Sequence, residues 1–167
     1  MKDDELLRYS RQIMLPQMDV AGQEALLNAN VLIIGLGGLG CPAAMYLASS
    51  GVGHLTLADD DVVDLSNLQL QIAHITDNIG LSKVASAAQA IHKLNDNVAV
   101  TELNRRLEGK ALEEAVSSAD VILDCTDNFS TRFSINAQAV KQKVPLVSGA
   151  AIRLEGQVSV FDSRHEG

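Results

Sequence analysis

Positive charge is scarce in this chain. Lys and Arg number 13 against 21 Asp and Glu, a formal net charge of −8. Nucleic acids and anionic membranes are held by basic faces, so this balance argues against either as a partner. Long apolar runs are missing as well. No stretch is long enough to span a bilayer, and the opening MKDDELLRYS is acidic and lacks the apolar core of a signal peptide. Only two cysteines occur, Cys41 and Cys125, far apart and in no CxxC pair, which leaves no readable disulfide scaffold or metal site. Repeats, low-complexity tracts and linkers are absent too. What remains is one domain, 1–167, with 47% hydrophobic and 20% charged residues, an ordinary globular composition large enough for a real core. A cytoplasmic setting is the expectation.

The pattern of the chain is alternation. Residues 4–15 and 21–27 read as helices, an N-terminal helical segment filling 1–29. Short β-branched runs then follow at 31–34, 53–58, 97–102, 120–124 and 144–147, separated by helical stretches near 38–50, 81–94, 108–118 and 128–142. In LSKVASAAQAIHKL, Leu81, Val84, Ala88 and Ile91 recur at helical spacing on one face. Gly51 sits where a helix C-cap is wanted. Such alternation predicts an α/β, Rossmann-like, doubly wound sheet, mainly parallel, with helices on both faces and ligands at the carboxyl ends of the strands. Gln157 to Phe161 alternates like a further strand, after which the chain is expected to lack its next element.

The first strand runs into GLGGLG. Gly35, Gly37 and Gly40 match G-x-G-x-x-G between a strand and a helix, the context in which the motif holds phosphates, and Gly38 lies inside it. Glycine permits the tight turn and the close approach of phosphate, and the helix N-terminus offers unpaired N–H groups. Pro42 falls in the first turn, where its missing N–H costs nothing. The next strand ends in Asp59, Asp60 and Asp61, and Asp59 lies 19 residues past Gly40, near the ~20-residue offset of a ribose-binding acid. Asp61 is read as orienting the loop. Up to this point a nicotinamide cofactor and ATP fit equally well.

Three further stretches favour ATP. Ser66 and Asn67, in DLSNLQLQ, either cap a turn or face phosphates from the side opposite the glycines. Lys83 is either a solvated charge or a point charge on phosphate. The stretch VILDCTDNFSTR brings Asp124, Thr126, Asp127 and Asn128 to the ligand end of the sheet. Asp127 is either a helix N-cap or the carboxylate that holds Mg²⁺ beside a triphosphate. The four histidines, His54, His74, His92 and His165, read as strand, loop, helix and tail residues, with no hydride-transfer pair among them.

These motifs together, with RYSRQIMLP before them and PLVSGAAIRLEGQVSVF after, resemble the HesA/MoeB/ThiF family, bacterial relatives of the ubiquitin-activating enzymes. The resemblance covers essentially the whole chain in order, and the ending is closer to the MoeB branch than to the ThiF branch. It implies an adenylyltransferase. Mg·ATP and the Gly-Gly tail of a ubiquitin-like sulfur carrier, of the molybdopterin-synthase small-subunit type, would give an acyl-adenylate and pyrophosphate. It further implies Asp59 on the ribose, Asn67 and Lys83 on the phosphates, and Asp127 on magnesium. Arg11 would reach the terminal phosphate from the other subunit of a homodimer. Arg8 and Arg11, three apart, share a face of the first helix.

The chain departs from the family in two places. Where the family has arginine in SNLQRQ, Leu70 stands here, so impaired phosphate binding is expected unless Arg8 or Arg132 compensates. Full members also continue into a zinc site of two CxxC pairs and a carrier-binding part, and none of those zinc ligands is present. No thiol matches a family catalytic cysteine, and Cys125 reads as a small core residue. The alternatives carried forward are a non-catalytic remnant that binds nucleotide or dimerises and, last, an NAD-dependent oxidoreductase.

Overall fold

The computed structural model describes residues 1–164; His165 lies outside them. Three short helices open the chain, α1 (Asp3–Arg8), α2 (Ser10–Ile13) and α3 (Asp19–Asn28). The alternating part follows as β1 (Asn30–Ile34), α4 (Gly40–Ser50), β2 (His54–Ala58), α5 (Lys83–Leu94), β3 (Ala99–Leu103), α6 (Gly109–Ser117), β4 (Val121–Asp124) and α7 (Phe129–Gln142). A hairpin of β5 (Leu146–Ile152) and β6 (Glu155–Phe161) closes it. The strands form one sheet in the order β3-β2-β1-β4-β5-β6, parallel throughout except for the antiparallel β5–β6 pair.

Period-two alternation along β1 sorts the core into two layers. Val31 and Ile33 face one side, where they pack with Ala44 and Ala48 of α4 and Val84 and Ile91 of α5. Leu32 and Ile34 face the other, against Leu112 and Val116 of α6 and Ile135 and Ala139 of α7. Helices thus cover both faces, as a doubly wound sheet requires. The strand order reverses between β1 and β4, which locates the crevice where such sheets bind ligands.

The expected helix over 4–15 is broken. Tyr9 leaves helical geometry at φ −101°, ψ 11° and separates α1 from α2. Its ring is buried against Gly51, and its hydroxyl accepts a 2.9 Å hydrogen bond from Asn95 Nδ2. The tertiary contact outweighs local helix propensity. Arg8 and Arg11 therefore share no helix face. Gly51 caps α4 in the left-handed region, φ 89°, as the sequence suggests. The strand expected at 144–147 runs on through Gly149 to Ile152, because β6 supplies a ladder partner for each of those residues.

Candidate nucleotide site

A cleft of about 1010 Å³ opens at the carboxyl ends of the strands, over the switch point. The glycine-rich turn forms its floor. Gly35 has φ +92°, and a Cβ there would lie 2.8 Å from the Cys125 carbonyl oxygen. Gly37 has nothing within 4 Å of that position, which leaves its backbone open to the cleft. Gly35, Gly37 and Gly38 all line the cavity, whereas Gly40 does not. A Cβ on Gly40 would sit 1.8 Å from the Gly35 carbonyl oxygen, so this glycine lets helix α4 pack tightly against its own loop.

The peptide of Leu36 is clamped from both ends. Its N–H donates to Asp59 Oδ2 at 2.6 Å, and the other Asp59 oxygen accepts from the Asp61 N–H at 2.9 Å. Its carbonyl accepts from Cys41 Sγ at 3.1 Å and from His74 Nε2 at 3.3 Å. A carbonyl only accepts, so Nε2 carries the imidazole proton and Nδ1 accepts from the Ser86 hydroxyl, 2.9 Å away. Burial holds the His74 pKa below its ordinary value, in keeping with the neutral ring. Asp59 lines the cleft and keeps lone pairs for a ribose hydroxyl while it orders the loop.

Asn67 and Lys83 line the cleft. Lys83 is buried, with its ammonium 2.8 Å from Asp61 Oδ2, which makes it a fixed rather than a solvated charge. Ser66 is not among the lining residues. Its N–H and hydroxyl both donate to Asp64, the turn-capping alternative read from the sequence. Asn128, not Asp127, caps α7, its Oδ1 accepting from the Thr131 N–H at 3.0 Å. Asp127 is left exposed in the cleft with no hydrogen bond or ion pair to the described residues. A lone carboxylate beside a polyphosphate fits Mg²⁺, which keeps most of its waters and takes few protein ligands. The oxygens of Asp59, Asp60 and Asp61 also lie within 4.8 Å of one another. There, however, both Asp59 oxygens accept backbone N–H groups and Asp61 holds Lys83, so that cluster orders the loop.

Arg11 lies elsewhere in the protomer. Its helix packs where Gln12 Nε2 reaches the Ser50 carbonyl at 3.1 Å, at the end of α4 remote from the cleft. Arg8 is equally remote, bonded to the Leu94 carbonyl at 3.3 Å and paired with Asp96 at 3.5 Å. Arg132 does line the cleft but is committed. It donates to Ser148 Oγ at 3.0 Å, to the Gly149 carbonyl at 2.6 Å and to the Thr126 carbonyl, and lies 3.7 Å from buried Asp124. Neither arginine is free to stand in for the one missing at Leu70. Leu70 itself is 46% exposed in the cleft wall and leans on the turn, its Cδ1 2.9 Å from where a Gly38 Cβ would be.

Sequence reasoning missed Arg105, Arg106 and Gln71, which also line the cleft. The two arginines follow β3, and their position just past a strand end is the signal that could have found them. Arg106 is paired with Glu108 at 2.9 Å, whereas the Arg105 guanidinium has no partner among the described residues. Cys125 lines the cleft floor and Cys41 lies beneath the turn. Burial pushes their thiols up to about 12 and about 11, so neither is a thiolate near neutrality. Among the described residues no histidine lines the cleft, and no helix is long and apolar enough to cross a membrane.

The chain is 52% identical over 161 residues to the molybdopterin-synthase adenylyltransferase of Escherichia coli (strain K12), covering 96% of this chain and 65% of that protein. It is 51% identical to the sulfur carrier protein ThiS adenylyltransferase of the same organism, covering 96% of this chain and 64% of the relative. The chain therefore spans just under two thirds of the length of these relatives. Among solved structures, the crystal structure of PaaA superposes with a TM-score of 0.87 at 31% identity, covering 98% of this chain and 53% of that one. The model of the ThiF family matches residues 9–167, and the chain belongs to that family.

Proposed function

We propose that the chain adenylates the C-terminal glycine of a ubiquitin-like sulfur carrier, consuming ATP and releasing pyrophosphate. The observation that carries this reading is the unpartnered Asp127 carboxylate, set in the same cleft as the exposed glycine turn. A metal-binding acid beside a phosphate cradle serves triphosphate chemistry and has no use in hydride transfer. The half-identity to two adenylyltransferases supports it. The two identities, 52% and 51%, are equally compatible with a molybdopterin-type and a thiamine-type carrier.

In this mechanism the glycine turn and the N-terminus of α4 hold the polyphosphate, and Asp59 fixes the ribose. The carrier's tail carboxylate is already anionic, so it attacks the α-phosphorus without a general base. A bond forms between carboxylate oxygen and α-phosphorus. The bond to the bridging oxygen breaks, and pyrophosphate leaves in line. Positioning and cations supply the catalysis. Lys83, Asn67 and Asn128 neutralise or hydrogen-bond the phosphates, and Asp127 would hold Mg²⁺, whose positive charge would stabilise the leaving group. Arg11, exposed at the far end of its own protomer, acts on the cleft of a homodimer partner. The two free cysteines suit a cytoplasmic setting.

The second reading is a nucleotide-binding remnant without turnover, favoured by Leu70 occupying the wall beside Gly38. Carrier-dependent ATP–pyrophosphate exchange with the purified chain separates the two. Exchange is the expected result; ATP binding with no exchange for any Gly-Gly carrier tested overturns the enzyme reading in favour of the remnant.

A further inference from the structure

Among the described residues, buried side-chain amides are hydrogen-bonded, with one exception. Gln23 donates to the Ser50 carbonyl at 3.0 Å and accepts from Gln12 at 2.7 Å. Asn95 donates to Tyr9 Oη and to the Ala48 carbonyl at 2.9 and 2.8 Å. Both lie away from the cleft. Gln71 is 5% exposed, lines the cleft, and has neither end of its amide hydrogen-bonded to a described residue. Its Oε1 is the sole buried, unpartnered side-chain oxygen or nitrogen among them. Buried polar groups are paired almost without exception, so an orphan confined to a ligand cleft marks a group whose partner is the ligand.

We propose that Gln71 is a binding residue that reads the pyrophosphate portion of a metal-bound nucleoside triphosphate; this rests on the nucleotide reading above. The backbone fixes where the side chain starts. The Gln71 N–H donates to the Asn67 carbonyl at 3.0 Å, and the Gln71 carbonyl accepts from the His74 N–H at 3.0 Å. The same turn presses Leu70 against Gly38, so Gln71 belongs to the wall that faces the glycine-rich loop, the phosphate end of the cleft. An amide with two open ends wants an occupant that both accepts and donates. Phosphate oxygens accept from Nε2, and the waters carried by a hydrated divalent cation donate to Oε1. With leucine at position 70, the 67–71 turn meets the phosphates through the neutral amides of Asn67 and Gln71 rather than through a cation.

Calorimetric titration of the full chain with Mg·ATP, Mg·pyrophosphate and AMP, together with thermal melts of the nucleotide-free protein, tests this. Gln71→Met keeps the volume and removes both hydrogen-bonding ends. It is expected to weaken Mg·ATP and Mg·pyrophosphate about tenfold, to leave AMP unchanged, and to hold or raise the melting temperature, because an unpaired buried amide is lost. Gln71→Glu places a carboxylate against the phosphates and is expected to weaken both further. Unchanged Mg·ATP affinity in Gln71→Met overturns the assignment. So does an equal loss for all three ligands, or a fallen melting temperature with affinity intact, since either marks a structural amide. A wild-type chain that binds no Mg·ATP overturns the nucleotide reading itself, an outcome visible before any variant is made.

Discussion

Replacing Leu70 by arginine puts the cation budget of the cleft to a direct test. Four cationic side chains line it, and three are committed: Lys83 to Asp61, Arg106 to Glu108, and Arg132 to the Asp124, Ser148 and Gly149 cluster. Arg8, the other residue that could have compensated, is held at the remote end of α5. A charged hydrogen bond to phosphate contributes about 1.5–3 kcal/mol, or about 10- to 150-fold in binding or rate. Position 70 is 46% exposed, so solvent screening places the gain near the lower bound, about tenfold. Little is lost in exchange, because a half-exposed leucine leaning on Gly38 contributes about 1 kcal/mol of burial. Leu70→Arg is therefore expected to raise carrier-dependent ATP–pyrophosphate exchange about tenfold. Leu70→Lys should gain less, since a point charge lacks the bidentate fork. Unchanged exchange in Leu70→Arg would show that the wall beside Gly38 does not meet the phosphates, and the reasoning would fall.

Asp127→Asn keeps the shape of the side chain and removes its charge; exchange is expected to fall about 100-fold, while AMP affinity measured without metal stays level. Equal loss of AMP binding would refute the metal role. The folded-state pKa of His74 is lowered, so the unfolded chain takes up the proton first as pH drops. Stability from this group is thus complete above the unfolded value near 6.5 and is lost as pH falls below it. Thermal melts from pH 7.5 to 5.5 should show that decline, with a shallower slope in His74→Gln; parallel slopes would remove His74 as the cause. Gly40→Ala forces a methyl to within 1.8 Å of the Gly35 carbonyl oxygen. Overpacking of this kind costs about 1–3 kcal/mol, and the melting temperature should drop by about 3–10 °C. A neutral substitution would mean that α4 can slide away from its loop.

The sheet was legible because its signal is local. Alternating β-branched runs and the i, i+3, i+4 face of α5 reappear as β1 to β4 and their crossovers. Boundaries moved where distant contacts decide. Nothing in RYSRQI announces that Tyr9 will be drawn into the core by Asn95, yet that contact splits the first helix and separates Arg8 from Arg11. The segment Gly149–Ile152 lacks intrinsic strand character and becomes strand because β6 folds back on it. The site divides along the same line. Motif spacing points to the glycine turn and Asp59, and the family resemblance to Asn67, Lys83, Asp127 and Asn128; all of these line one cleft. Gly40 and Ser66 belong to the same motifs but serve packing and turn capping. Gln71 could not be read at all, because what singles it out is burial without a partner, a property of the folded chain alone.

Under the proposed function, the charges that line the cleft favour a metal-bound triphosphate over a bare one. A chain of net charge −8 presents Asp59, Asp60, Asp61, Asp127 and Glu155 to the same cavity. The protein offsets part of that charge internally, through Lys83 on Asp61 and backbone N–H groups on Asp59. Bare ATP would bring about four further negative charges to a cleft in which, among the described residues, Arg105 is the one cationic side chain not already paired. If Lys83 turns toward phosphate, it leaves Asp61 unpaired, so the exchange of partners gains little net attraction at the buried end of the cleft. Under the proposed function, a divalent ion held by Asp127 would lower that repulsion without breaking any protein pair, and Lys83 could then share its ammonium between Asp61 and phosphate. The loop itself needs no rearrangement, because Asp59, Cys41 and His74 already hold the Leu36 peptide from both ends. In the proposed adenylation, binding energy that a mobile loop would spend on ordering itself would remain available to orient the α-phosphorus for attack.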